Sequence, residues 1–232
     1  MTDQAKGLLI TGFGVLMIVP DSLLIRLISM DTMSVVFWRS LLTGSMVLAG
    51  LFAIHGLETI RKTREIGRYG LAYAALLIVG AICFVLSIRL TSVANTVFIL
   101  ATMPIFAALF SRVWLGERIS RRTVFTMLVV VIGIALIAFG STKNEASSLI
   151  GDFIALCIAA TFALAMTVAR KAKGASMIPA VPIAFLGAAA LVFPFAEPFE
   201  FTGLDPLYVI LHGGIFIPIS LTCLTIGPRY IT

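Results

Sequence analysis

The feature that most constrains this chain is a set of long apolar runs from which charge is missing altogether. Segments 69–88, 90–111 and 206–228 contain no Asp, Glu, Lys or Arg. A membrane-spanning α-helix needs about 20 mostly apolar residues, so each of these runs reads as a spanning helix. Five further segments, 7–26, 34–55, 123–141, 150–169 and 176–196, qualify by length and apolarity, which brings the expected number to eight. The second carries Arg39 about a turn inside the membrane, and the first is interrupted by Pro20 and Asp21. Barrel strands would alternate in polarity over about ten residues, and no such alternation is present. The expected fold class is therefore an all-α integral membrane protein, a polytopic helix bundle. Residues 7–20 match the apolar part of a signal peptide in length. Only Lys6 against Asp3 precedes them, however, and no small-residue cleavage site follows, so a retained first helix is expected.

Composition excludes the main soluble alternatives. The chain is 60% hydrophobic and 12% charged, with a mean hydropathy of +1.10, against about 45–50% and about 25% for soluble domains. A globule with so few charged residues has too little polar surface to be a cytosolic enzyme, a nucleic-acid binder or a disordered tail. The net charge of +6 would suit an anionic partner, but its distribution reads as membrane topology. With the N-terminus inside, the inner segments hold Lys6; Arg61, Lys62, Arg64 and Arg68; Arg118, Arg121 and Arg122; Arg170, Lys171 and Lys173; and Arg229. The outer segments hold only Arg26, Arg89 and Lys143. Cytoplasmic loops collect Lys and Arg, so both termini are expected in the cytoplasm. The outer loop 197–205 agrees, with Glu197, Glu200, Asp205 and no cation. The basic stretch 56–68 reads as a topology anchor, or else as a site for anionic lipid.

Catalytic and metal-binding patterns are not evident. Cys83, Cys157 and Cys223 fall inside apolar runs without ligand spacing and read as core residues. There is no Gly-x-Ser-x-Gly elbow, no His-Glu-x-x-His, no Walker loop and no carboxylate pair placed for acid–base work. No enzyme activity, cofactor or metal is expected, and no coupling to ATP within the chain.

An internal repeat bears more directly on function, because transporters often build a central site between two related halves. Under a shift of 144 residues Gly7 falls on Gly151, Arg26 on Arg170 and Met33 on Met177. Further on the shift becomes 140, and Leu71, Cys83 and Arg89 meet Leu211, Cys223 and Arg229. Residues 1–145 then form a first repeat of five helices, and 146–232 a second with three. An odd number of helices per repeat starts the copy on the opposite face, so the repeats are inverted. The final residues, 229–232, align with 89–92, so on this reading an inverted 5+5 architecture is cut to 5+3.

The segment from Ser92-Val93-Ala94-Asn95 through Pro104-Ile105-Phe106 to Trp114-Leu115-Gly116-Glu117-Arg118 resembles the fourth helix of EamA-type transporters. These belong to the drug/metabolite transporter superfamily. Gly7 through Arg26, Phe37-Trp38-Arg39-Ser40 and Gly151-Asp152 also resemble that pattern. The resemblance implies ten helices in two inverted five-helix halves, and transport of small metabolites, amino acids or drugs, often outward. It also implies a bacterial plasma (inner) membrane. The sequence departs from the pattern by lacking a ninth helix, the symmetry mate of 95–117, and a tenth.

Ionisable groups at membrane depth cost about 2.5–3.5 kcal/mol on insertion scales, so those present are the candidates for substrate binding or ion coupling. Asp21 follows a proline that loosens the helix; it reads as a proton or cation site, or as a carboxylate reaching to outer water. Arg39, preceded by Trp38, suits a carboxylate or phosphate clamp, an ion pair with Asp21, or an interfacial anchor. Asn95 and Thr102 share a helix face near the kink at Pro104, facing either a cavity or a neighbouring helix. Ala155, Ala159 and Ala163 form a packing stripe, leaving Thr161 and Met166 off it. His212, beside Gly213-Gly214, is a proton-coupling candidate. Glu117, beside Arg118, Arg121 and Arg122, is a cytoplasmic gate candidate or a solvated helix-end pair. Two functional readings follow. One is a secondary active transporter of small organic solutes, an exporter working by alternating access, with solute, proton and lipid as its partners. The other is a truncated, non-transporting membrane protein or remnant that needs another chain to complete its cavity.

Overall fold

The structure, a computed structural model, describes residues 3–141, 148–172 and 176–226. Lys143, Lys173, Arg229 and the alignment of 229–232 lie outside the described residues. All regular structure among the described residues is helical. The first span is broken in two, α1 (Asp3–Ile18) and α2 (Asp21–Leu27). The helix α3 (Thr32–His55) is followed by a short α4 (Glu58–Glu65) and by α5 (Gly67–Leu90). The fourth span is also broken, into α6 (Val93–Leu100) and α7 (Met103–Leu115). Then come α8 (Arg121–Ser141), α9 (Leu149–Lys171) and α10 (Ala180–Val192). The final span runs from α11 (Asp205–Val209) through a π-helical stretch, Ile210–Phe216, into α12 (Ile217–Ile226).

Six helical stretches among the described residues are long and apolar enough to cross a membrane: Asp3–Leu27, Thr32–His55, Gly67–Leu90, Val93–Leu115, Leu149–Lys171 and Asp205–Leu224. They coincide with expected spans one, two, three, four, six and eight. In the fifth and seventh, the described apolar helices are the shorter Thr123–Gly133 and Ala180–Phe195.

Proline accounts for both broken spans. It has no backbone N–H to give, and its ring clashes with the preceding turn. Accordingly α1 stops two residues before Pro20, and α6 stops before a turn that leads into Pro104.

Packing divides the chain into two compact units. One gathers residues up to Arg64 with the described residues from Val181 onward, and the other runs from Glu65 to Ala180. Each unit therefore mixes segments from both expected repeats. In the first unit α1 packs along α12, and α3 packs on the π-helical stretch. Gly14 makes the first contact close: a Cβ there would sit 2.8 Å from Cys223 Cβ, and Ser220 Oγ donates to its carbonyl at 2.8 Å. Gly44 lets α10 approach in the same way, with Leu186 N 3.0 Å from where a Cβ would lie. In the second unit α9 is the centre, packed on α5, α6 and α7. Its Ala155, Ala159 and Ala163 are buried to within 1%, the close packing expected of small residues between membrane helices.

Two acids of the loops that join the spans are structural. Asp31 caps α3, accepting from the N–H groups of Met33 at 2.8 Å and Ser34 at 3.2 Å. Partial burial pushes its carboxyl upward, but hydrogen bonds from Ser34, Met33 and Glu197 outweigh this and hold it below the usual aspartate range. A depressed folded value means that the cap is intact above the unfolded pKa and is lost as pH falls through the folded one. Asp205, only 2% exposed, accepts from Ser29 N–H at 2.8 Å and from both the N–H and the hydroxyl of Thr202, at 3.0 and 2.8 Å.

A glycine pair two residues apart, on different faces of α1, checks this packing. Gly14→Ala should cost about 1–3 kcal/mol, as overpacking does. Gly12→Ala, where a Cβ meets nothing within 4 Å, should be neutral or stabilising by up to about 1 kcal/mol. Unfolding in mixed micelles measures both, and equal effects would contradict the α1–α12 contact.

Candidate functional site

The first unit brings three ionisable side chains from three spans to one buried point. Asp21 opens α2 directly after the break at Pro20, so its carboxylate stands where the helix ladder is already interrupted. Arg39, two turns into α3, places Nη2 3.4 Å from Asp21 Oδ2. His212, in the π-helical stretch, places Nε2 against the other carboxylate oxygen, Asp21 Oδ1. The residues are 3%, 8% and 1% exposed respectively, so this is a desolvated cluster and not a surface pair. With Asp21 ionised, His212 Nε2 donates the hydrogen bond, and a neutral imidazole would leave the three groups with no net charge. One added proton leaves the cluster with a single positive charge. The ring of Phe185 stands 6.0 Å from the Arg39 guanidinium carbon and closes that side with an aromatic face.

Local backbone explains how His212 reaches Asp21. A π-helical turn is wider than an α-turn and frees a carbonyl from the regular ladder. Here Thr43 Oγ1 donates to the Gly213 carbonyl at 3.0 Å. Gly213 lies against the α3 backbone, where a Cβ would be 3.0 Å from both Arg39 Cα and Arg39 O. The glycine therefore sets the distance between the strand of helix that carries Arg39 and the turn that carries His212.

Trp38 turns to a different task. Its Nε1 donates to Pro198 O at 2.6 Å, and its ring meets Phe37, Phe199 and Phe201 at centroid distances of 5.4, 6.4 and 5.7 Å. It ties α3 to the loop that precedes α11.

The second unit holds the remaining candidates, and they do not form one site. Asn95, 4% exposed, points its Nδ2 at both oxygens of Asp152, at 3.3 and 3.4 Å, and Thr91 Oγ1 donates to Asp152 Oδ1 at 2.7 Å. Ser87 Oγ donates to Gly151 O at 3.0 Å beside them. This polar cluster joins α5 and α6 to the start of α9, and Asp152 is the partner that sequence reasoning did not supply. Thr102, 8% exposed, donates to its own chain at Ile99 O, 2.6 Å away. Pro104 lines a cavity of about 210 Å3 with Ile105, Thr123, Thr126, Met127 and Val130. Thr161 donates to Cys157 O and Ile158 O within its own helix, at 2.9 and 3.0 Å, and Met166 is 53% exposed.

Glu117 finds its cation across the fold instead of in the neighbouring basic cluster. Gly116 ends α7 at φ 69°, a left-handed turn that glycine adopts at low cost. Glu117 Oε1 then accepts from Arg170 Nη2 at 2.5 Å, while Arg170 Nη1 donates to Ser111 Oγ at 2.9 Å. Lys171 stands over the Trp114 ring at 5.7 Å. Both members of the ion pair are about half exposed, so it is a surface latch between the ends of α7 and α9. Among the described residues no group of three or more His, Cys, Asp or Glu is placed to hold a metal.

The EamA-like transporter family matches residues 7–139, and the chain belongs to that family. No curated protein and no solved structure matches the chain. With its apolar helices, this membership makes the chain an integral membrane protein of a family of small-molecule transporters.

The buried cluster sets a stability test. Removing one partner of a buried pair costs about 3–5 kcal/mol, so Asp21→Ala, which strips Arg39 of its carboxylate, should destabilise by that amount. Asp21→Ala with Arg39→Leu should recover most of the loss. A double variant no better than the single, measured by unfolding in micelles, would refute the coupling.

Proposed function

We propose that this EamA-family protein is a proton-coupled secondary transporter that exports a small organic solute, and that Asp21 is its coupling group. The observation that carries this reading is the Asp21 carboxylate, buried between Arg39 and His212 from three different spans. A buried carboxylate in contact with an imidazole can take up one proton that arrives from water by way of the imidazole ring. Protonation removes the negative charge that Arg39 faces, so proton uptake weakens the contact between α2 and α3. The helix break at Pro20 and the π-helical turn at His212 are the places where a backbone yields most readily. Removing one partner of a buried pair costs about 3–5 kcal/mol, so a proton on Asp21 acts strongly on helix packing at this site.

The inverted-repeat organisation, with boundaries at 145 and 146, is part of the same proposal. Exchanging the two repeats maps span one on span six and span three on span eight. Packing of α1 on α12 thus corresponds to packing of α9 on α5, and both contacts are among the most extensive in their units. Alternating access between such halves is the mode of transport that follows. The Glu117–Arg170 latch, at the end expected to face the cytoplasm, is the proposed inner gate, and Asn95, Thr102 and Pro104 of the broken fourth span are proposed to line the solute path. Trp38, Thr102, Thr161 and Met166 have weaker support, since Trp38 is engaged with the 198–201 loop and the two threonines bond to their own backbone.

Proteoliposomes holding the full chain and an internal pH dye test the coupling against a panel of amino acids and drug-like solutes. Flux with the native protein should depend on an imposed pH gradient. Asp21→Asn should abolish that dependence, and His212→Asn should shift its midpoint. Flux by Asp21→Asn with an unchanged pH profile would rule out the coupling role.

A further inference from the structure

The connection between the second and third spans is an ordered device. The short helix α4 is bracketed by Gly56 and Gly67 at φ 55° and 54°, left-handed positions that turn the chain sharply at low cost only for glycine. Thr59, 3% exposed, donates its hydroxyl to Leu51 O at 3.0 Å near the end of α3. Thr63 Oγ1 in turn donates to Thr59 O at 2.8 Å. The Thr59 side of α4 is therefore fixed against the last turn of α3, a helix long and apolar enough to span a membrane.

The opposite side has a different chemistry. Leu57, Ile60, Arg61 and Arg64 follow i, i+3, i+4, i+7 spacing and lie along one outward stripe. Leu57 is 81% exposed and Ile60 46%, and the Arg61 side chain is 69% exposed. Glu58 stands beside this stripe, and the exposed Glu65 adjoins its far end at i+4 from Arg61. Glu58 draws Arg61 and Lys62 at 3.7 and 3.8 Å, long exposed pairs of the kind worth about 0–1 kcal/mol. Two bulky apolar side chains flanked by arginines are poorly placed in water. At headgroup depth the same stripe is well placed, because apolar residues enter the acyl boundary while guanidinium groups meet phosphate.

We propose that α4 is an interfacial helix that binds an anionic phospholipid, its phosphate held by Arg61 and Arg64 and its acyl chains seated on Leu57 and Ile60. The site is independent of the transport reading and of the Asp21 cluster. Charge complementarity selects the occupant: zwitterionic lipid carries an ammonium that the two arginines repel, and a soluble phosphate offers nothing to Leu57 and Ile60.

The test titrates the full chain in detergent with phosphatidylglycerol or phosphatidylcholine of identical acyl chains and counts retained lipid by native mass spectrometry. The native protein should retain phosphatidylglycerol preferentially. Arg61→Gln with Arg64→Gln should weaken that retention about tenfold to thirtyfold, from the contribution of each cation near an anionic surface. Arg118→Gln with Arg121→Gln, which removes the same charge elsewhere, should leave it unchanged. Glu58→Gln, which removes the carboxylate facing Arg61 and Lys62, should strengthen it, and this gain needs no damaged variant to be informative. Equal retention of both lipids would overturn the proposal, as would equal losses in the two double variants, or displacement of the lipid by glycerol phosphate at matched concentration.

Discussion

A carboxylate held between a guanidinium and an imidazole is the interaction on which the first unit depends. In lipid, an ionised side chain without a partner has no water to fall back on, and the cost at a helix centre is several kcal/mol. Asp21, Arg39 and His212 resolve this together, but only if three spans present them at one point. The break at Pro20 frees the start of α2 for Asp21. Gly213 draws the last span against the α3 backbone, and the π-helical turn aims the neighbouring imidazole inward. The break at Pro20 and the π-helical turn each carry an ionisable residue of this cluster, as expected where irregular backbone is tolerated in a membrane only if its polar groups find partners.

The second unit meets the same requirement with weaker groups. Its acid, Asp152, is satisfied by a hydroxyl and an amide, from Thr91 and Asn95. Its central helix α9 packs through alanine, and Gly151 admits the Thr91 backbone to within 2.9 Å of where a Cβ would be. This polar cluster joins helices without placing two titratable groups in contact. That difference is why the proton-coupling reading rests on the first unit, while the second supplies the surface latch of Glu117 and Arg170.

Several of these features were legible in the residues alone. Apolar run length gave six of the eight expected spans, Pro20 and Pro104 marked where two of them break, and the alanine spacing of α9 marked its packing face. An ion pair between Asp21 and Arg39 was open to inference because both lie in neighbouring spans near the same end. The His212 contact was not, since 191 residues separate it from Asp21 and the pattern around it is apolar. Nor was the partner of Glu117: proximity in sequence favoured Arg118, Arg121 and Arg122, whereas the left-handed turn at Gly116 redirects the carboxylate to Arg170.

The sequence by itself determined the solvent, most of the spanning helices and the breaks at Pro20 and Pro104, because these follow from local quantities: apolar length and proline. Tertiary structure decided which polar groups meet, because a hydrogen bond or ion pair across a membrane bundle depends on helix rotation and depth. No local pattern encodes either. A turn of π-helix changes both, shifting the facing of every residue beyond it, and through it His212 and Asp21 become one site.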